Sequence, residues 1–186
     1  MVGGTTLDSD AYVALLRQVG DDLRSRRVKT EIYIFGGAAM SLAGYLADRR
    51  SDDLDVRIKS NNAVVVEAAN RVARRAGLPS GWLNEAGTSA LPRKPDLGQR
   101  TVFVHDNLIA RAASPRFMLA MKLYAARGGD GTDALVLAQK LSLDQTSELH
   151  ELLVDVYEDR VFSDRERLRT DAFVEDLARE LQSRRL

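Results

Sequence analysis

Two adjacent glycines, Gly36-Gly37, follow a short apolar run and precede an alanine-rich segment. A turn at that point presents backbone N–H groups with no side chain in the way, so phosphate oxygens can approach them. The start of a helix adds partial positive charge. The same pair also suits a tight strand-to-helix turn that binds nothing, because glycine is the default residue there. Asp53 and Asp55 stand one residue apart in the next apolar run. On a strand, alternation puts both carboxylates on one face and Leu54 and Val56 on the other. Neighbouring carboxylates repel each other unless a cation lies between them. Hard oxygen ligands suit Mg²⁺, which keeps waters and binds substrate phosphates too. Acid-x-acid pairs also arise by chance in a chain with 27 acidic residues, as polar strand ends facing solvent. The order is more informative than either piece. A glycine turn, one helix and then the Asp pair would set a triphosphate beside a metal pair, the layout of two-metal phosphoryl chemistry.

The elements that would position these residues follow from periodicity. Tyr12, Leu16, Val19 and Leu23 make one stripe of a helix expected from Ser9 to about Arg27, with Asp8, Ser9 or Asp10 as its cap. Glu31 to Phe35 reads as a buried strand, and Ala38 to Ala47 as a helix with Ala39, Leu42, Ala43 and Leu46 inward. Leu54 to Ile58 alternates as a strand. A third helix runs from Asn61 or Asn62 to Ala76, where Gly77 stops it. Residues 78–100 hold Pro79, Pro92 and Pro95 and read as a long loop anchored by Trp82-Leu83. Thr101–Val104 and Leu108–Ala112 read as a hairpin turning at His105-Asp106-Asn107. Ser114-Pro115 caps a helix with Phe117, Met121 and Tyr124 or Ala125 on its buried face, broken at Gly128-Gly129. Helices are then expected over about Thr132–Leu141, Thr146–Tyr157 and Thr170–Ser183. The fold class is α/β, more strictly α+β. A small mixed sheet with flanking helices occupies 1–113, and an all-helical part occupies 114–186.

Composition narrows the chemistry. Of 186 residues 45% are hydrophobic and 29% charged, enough apolar material for a packed core. There is no cysteine, which excludes thiol catalysis, thiolate zinc sites and disulfides. The two histidines, His105 and His150, are far apart in sequence and make a histidine metal site a poor reading. Lys+Arg and Asp+Glu are 27 each, so no general basic coat exists. No apolar run is long enough to span a bilayer, and the first ten residues lack the basic start and apolar stretch of a signal peptide. A soluble, cytoplasmic protein is expected.

Ile34-Phe-Gly-Gly-Ala-Ala-Met-Ser-Leu42, followed by Arg49-x-Ser51-x-Asp53-Leu-Asp55, resembles the nucleotidyltransferase superfamily typified by DNA polymerase β. More narrowly, it is similar to the AbiEii-type nucleotidyltransferases of bacterial toxin–antitoxin systems. Downstream, Phe117 to Asp133 resembles the family's Lys-x4-Arg-x2-Asp-x2-Asp segment through Lys122, Arg127, Asp130 and Asp133, although Gly128-Gly129 separates Arg127 from Asp130. The two matches cover 31–58 and 114–141. The resemblance implies transfer of a nucleoside monophosphate from an NTP to an acceptor hydroxyl, with Mg²⁺ as cofactor. The implied acceptor is tRNA or else a protein side chain, and an antitoxin protein is the implied partner. By position, Gly36 and Gly37 would hold the triphosphate and Asp53 and Asp55 would bind Mg²⁺. Lys122 would neutralise phosphate charge, and Asp130 would act near the acceptor hydroxyl or orient Arg127. A third metal carboxylate is usual in the superfamily; Glu85, Asp96 and Asp106 are the candidates here.

Other residues carry two readings each. Ser41 is a possible phosphate donor or a small packing residue. Arg49 and Arg50 suit phosphate, as arginine forks do, or are simply solvated. Arg57 is placed on the strand face away from the Asp pair. Arg71, Arg74 and Arg75, with Arg93, Lys94 and Arg100, form an RNA-backbone patch or ordinary surface charge. His105 reads as a solvated turn residue, and His150 has no evident partner. Two functional classes remain: an active nucleotidyltransferase, or a non-catalytic relative working as a binding module. A dinucleotide oxidoreductase is disfavoured, because Gly36-Gly37-Ala-Ala-Met-Ser41 does not supply Gly-x-Gly-x-x-Gly.

Overall fold

The computed structural model describes residues 6–158 and 162–184. The first five residues, on which the signal-peptide reading partly rests, lie outside them. Close contacts divide the chain into two units. One comprises the residues up to Ser89 together with Gln99–Ala113; the other comprises Ala90–Gly98 and the residues from Ser114 onward.

The first unit is built on a five-stranded mixed sheet ordered β3-β2-β1-β5-β4. Its strands are β1 (Thr30–Phe35), β2 (Leu54–Ile58), β3 (Leu83–Asn84), β4 (Arg100–His105) and β5 (Leu108–Ala112). Central β1 runs antiparallel to β2 and parallel to β5, and β2 runs parallel to the two-residue β3. Ile32, Ile34, Leu54, Val56, Ile58, Leu108, Ala110 and Ala112 are all buried on one side of these strands. Helices α1 (Ser9–Ser25) and α3 (Asn62–Ala76) pack on each other; α1 contacts β4 and β5, and α3 contacts β3. The predicted stripe of α1, Tyr12, Leu16, Val19 and Leu23, has no exposed surface, and Asp8 caps its start by accepting from Ala11 N.

Two expectations for this unit need correction. Helix α2 runs Gly36–Leu42, starting at the glycines and ending well short of Ala47. Gly44 is the reason: it takes a left-handed φ of +67° and donates to Ser41 O, the usual way a helix is stopped. Met40 and Ala38 are buried there, and Leu42 and Leu46 are only half-buried. The segment after Gly77 is also more ordered than a loop. Trp82 is buried and donates Nε1–H to Ala69 O on α3, which delivers Leu83-Asn84 to the edge of β2. A short 3₁₀ turn, Ala86–Ala90, follows.

The second unit is helical: α4 (Pro115–Ala125), α5 (Gly131–Leu141), α6 (Thr146–Tyr157) and α7 (Asp164–Ser183). Helix α4 contacts the other three and is buried almost all round, including Met118, Leu119, Ala120 and Leu123; Met121 is only half-buried. Its Ser114 cap accepts from Phe117 N, as the Ser-Pro signature predicts. Helix α7 starts six residues before the expected Thr170. Ser163 and Glu166 form a reciprocal capping box, the Ser-x-x-Glu signal that sets this start. Ala90–Gly98 packs with these helices through Lys94, which pairs with Asp155 and Glu158, and through Tyr157 Oη–H donating to Ala90 O.

Candidate active site

The register of β1 against β2 builds the site. Phe35 lies opposite Asp55, so the residue that follows, Gly36, is carried to the Asp55 carboxylate. A Cβ on Gly36 would stand 2.8 Å from Asp55 Oδ2, and Gly36 itself has φ +73°, a conformation that favours glycine. Gly37 faces the loop before β2: a Cβ there would be 3.0 Å from Ser51 Oγ and 3.4 Å from Arg49 Nη2. The other oxygen of Asp55 faces a third glycine. A Cβ on Gly87 would lie 3.5 Å from Asp55 Oδ1 and 2.8 Å from the Phe35 ring. The residues expected to act together, Gly36, Gly37, Asp53 and Asp55, therefore do meet within the first unit, with Arg49 beside them.

Asp53 is held from several directions. Ser51 Oγ lies 3.5 Å from Asp53 Oδ1, and Asn84 Nδ2–H donates to Asp53 Oδ2 over 3.3 Å. The hydroxyl of buried Tyr12 reaches both Ser51 O at 2.9 Å and Asp53 O at 2.8 Å. Burial pushes the Tyr12 hydroxyl well above its ordinary value; the hydrogen bond to Ser51 opposes this, and the nearby Asp53, Asp52 and Asp55 carboxylates add to it. It remains a neutral donor at physiological pH. An antiparallel bridge between Leu7 and Ser51 fastens the same loop to the chain before α1. Both aspartates are half-buried on the face opposite Leu54, Val56 and Ile58.

Of the remaining first-unit residues, Ser41 is buried and donates its hydroxyl to Ala38 O in its own helix. Arg49 donates to Arg50 O, whereas Arg50 reaches away to Thr6 O and Asp8. Arg57 is on the same strand face as Asp55, two residues on, contrary to the expectation; its guanidinium lies over the Tyr33 ring, 5.4 Å from the centroid. Glu85 is turned to the far end of β2, where it accepts from Ile58 N and Asn62 Nδ2. Asp106 sits in the β4–β5 turn, beside the Thr30 end of β1 rather than the Gly36 end. Asp96 belongs to the second unit and accepts from Gly98 N and Ser114 N. Among the described residues, no group of three His, Cys, Asp or Glu side chains gathers as a metal site. The donor set present, two carboxylates on one strand face beside bare main chain, still fits Mg²⁺, which binds through one or two carboxylates plus waters and substrate phosphates.

In the second unit, Lys122 is buried. Its ammonium lies 2.6 Å from Asp130 Oδ1 and 2.9 Å from Asp133 Oδ2. Arg127 is exposed just beyond the helix end. The basic patch read from sequence dissolves in part: Arg71 is bound by Asp22 and Glu67, and Lys94 by Asp155 and Glu158. The Arg71 hydrogen bonds hold the Asp22 carboxyl below its ordinary range. His105 is not a solvated turn residue, since its ring packs against Gly20 and meets Asp21 at 3.4 Å. His150 lies 3.7 Å from Asp171.

Sequence reasoning missed Asn84, Gly87 and the Tyr12 hydroxyl. Tyr12 was visible only as part of an apolar stripe, and the other two lay in a segment read as a loop. No helix among the described residues is long and apolar enough to cross a membrane. Comparison of the chain with protein-family models, curated proteins and solved structures gives no match.

Proposed function

We propose that this chain is a cytoplasmic, Mg²⁺-dependent nucleotidyltransferase of the DNA polymerase β-like superfamily, similar to the AbiEii-type toxins. It moves a nucleoside monophosphate from an NTP to an acceptor hydroxyl, with tRNA as the acceptor and an antitoxin protein as its partner. The observation that supports this reading is the meeting of Gly36, Gly37, Ser51, Asp53 and Asp55 at one end of the β1–β2 pair.

Each residue has a role that its surroundings suit. Gly36 and Gly37 leave room for a triphosphate against the main chain. Arg49, whose guanidinium lies over Gly37, adds positive charge. Asp53 and Asp55 hold Mg²⁺, which when bound offsets the charge of the phosphates and of the departing pyrophosphate. In the transfer, the acceptor oxygen bonds to the α-phosphorus, the bond to the bridging oxygen breaks, and pyrophosphate leaves while the hydroxyl proton passes to solvent or a nearby base. Lys122 fixes Asp130 and Asp133 by its two short contacts. Ser41 packs within its helix.

A second reading is a module that has kept the cleft and lost the transfer. What favours it is the lack, among the described residues, of a third carboxylate, histidine or cysteine gathered with Asp53 and Asp55. One experiment separates the two. The chain is incubated with Mg²⁺, each labelled NTP in turn and total tRNA. Label transfer that disappears in Asp53→Ala supports the enzyme. No transfer, with no Mg²⁺-dependent NTP binding, rejects it.

A further inference from the structure

Asn84 is the strand neighbour of Asp55 in the β2–β3 register, yet its side chain reaches past that residue to Asp53. Its orientation is determined by its partners. Ala86 N–H can only donate, so the oxygen of the amide faces it, at 2.9 Å. The NH₂ group is then directed to Gly81 O at 3.2 Å and Asp53 Oδ2 at 3.3 Å. Three of the amide's four hydrogen-bonding positions are filled. The segment carrying Asn84 is pinned in turn: Trp82 is anchored on Ala69 O, and Leu54 N donates to Trp82 O over 2.6 Å. A two-residue strand with so little ladder of its own is thus fixed beside the Asp pair by a buried indole.

We infer that Asn84 is a positioning residue, whose amide orients the Asp53 carboxylate for divalent-cation binding; this rests on the metal role proposed above for Asp53 and Asp55. A half-buried carboxylate on a strand end rotates freely about its terminal bond. A cation needs one oxygen of Asp53 and one of Asp55 turned toward a common point. Donation from Asn84 occupies Oδ2, and Ser51 lies against Oδ1, so the plane of the carboxylate is set before a cation arrives. Partners of metal ligands commonly matter in this way. Glu85, the neighbouring acid, is turned to the Ile58 end of β2, where its oxygens accept from Ile58 N and Asn62 Nδ2.

The test measures Mn²⁺ binding to the full chain by electron paramagnetic resonance of the free ion, with thermal unfolding as a check on the fold. Two variants are compared with wild type. Asn84→Ala removes the donor to Asp53, and Mn²⁺ affinity is expected to fall by about tenfold. Asn84→Ser keeps a hydroxyl that can accept from Ala86 N but is too short to donate to Asp53, and the same fall in Mn²⁺ affinity is expected. An Asn84→Ser protein that binds Mn²⁺ as wild type does would assign Asn84 to the turn alone and overturn the inference. An unchanged affinity in folded Asn84→Ala overturns it as well. If Asn84→Ala does not fold, Asn84→Ser decides. Wild-type protein that binds no Mn²⁺ rejects the metal reading of Asp53 and Asp55 itself, a failure distinct from the other two.

Discussion

Gly36 and Asp55 come together because β1 ends where β2 is still paired: Phe35 faces Asp55 across the ladder, and the next residue turns back over the carboxylate. With a Cβ at residue 36 the nearest atom would be Asp55 Oδ2 at 2.8 Å, and the left-handed φ of +73° would be strained for any L side chain. Gly36→Ala should therefore lose the proposed nucleotidyl transfer and about 1–2 kcal/mol of stability, the cost of a left-handed alanine. Gly37→Ala meets only the movable Ser51 hydroxymethyl and Arg49 side chains at 3.0–3.4 Å, with no left-handed φ. It should keep more of both. Urea unfolding and label transfer measured on the two variants check the ranking, and equal losses would contradict it.

Tyr12 couples the first helix to the loop that carries the Asp pair. Tyr12→Phe removes the donor to Ser51 O and Asp53 O while keeping the ring, and should cost about 1–3 kcal/mol. The pH dependence has a definite sign. The folded-state pKa of Tyr12 is raised above its ordinary value of 10.0, chiefly by burial. Its contribution is therefore complete below pH 10 and is lost as the pH rises above that value, where the unfolded chain ionises first. The stability difference between wild type and Tyr12→Phe should shrink through that alkaline range. A difference that grew there would show that the hydroxyl is not the neutral donor.

Lys122 neutralises two carboxylates inside the helical unit, with Asp133 almost fully buried. Lys122→Ala would remove the ammonium that both Asp130 and Asp133 meet. The expected cost is about 3–5 kcal/mol, the range for removing one partner of a buried ion pair. Thermal and urea unfolding measure it. A loss below about 1 kcal/mol would place Lys122 outside the packing of that unit, free for another task.

Local signals in the chain were enough for most of the elements. The stripe of α1, the alternation of Leu54–Ile58, the Gly77 stop and the Ser114-Pro115 cap each depend on neighbours within one turn or two residues, and the structure bears all four out. Two helix ends departed from expectation at local signals, the Gly44 stop of α2 and the Ser163–Glu166 capping box of α7. The placement of Arg57 was a matter of strand parity, since Arg57 lies two residues beyond Asp55 and so shares its face.

Residue type and order alone determined that the chain has no thiol chemistry, that a glycine pair precedes an Asp-x-Asp strand, and that a mixed sheet precedes a run of helices. Sequence distance could not decide what each side chain meets. That Asn84 holds Asp53, that Gly87 stands against Asp55, and that Glu85 is spent on Ile58 N follow from where Trp82 anchors its segment on α3. The burial of Lys122 between two aspartates follows likewise from the packing of α4 against α5. These are contacts between elements, set by packing and by the need to satisfy every buried polar group. No periodicity within a single segment records them.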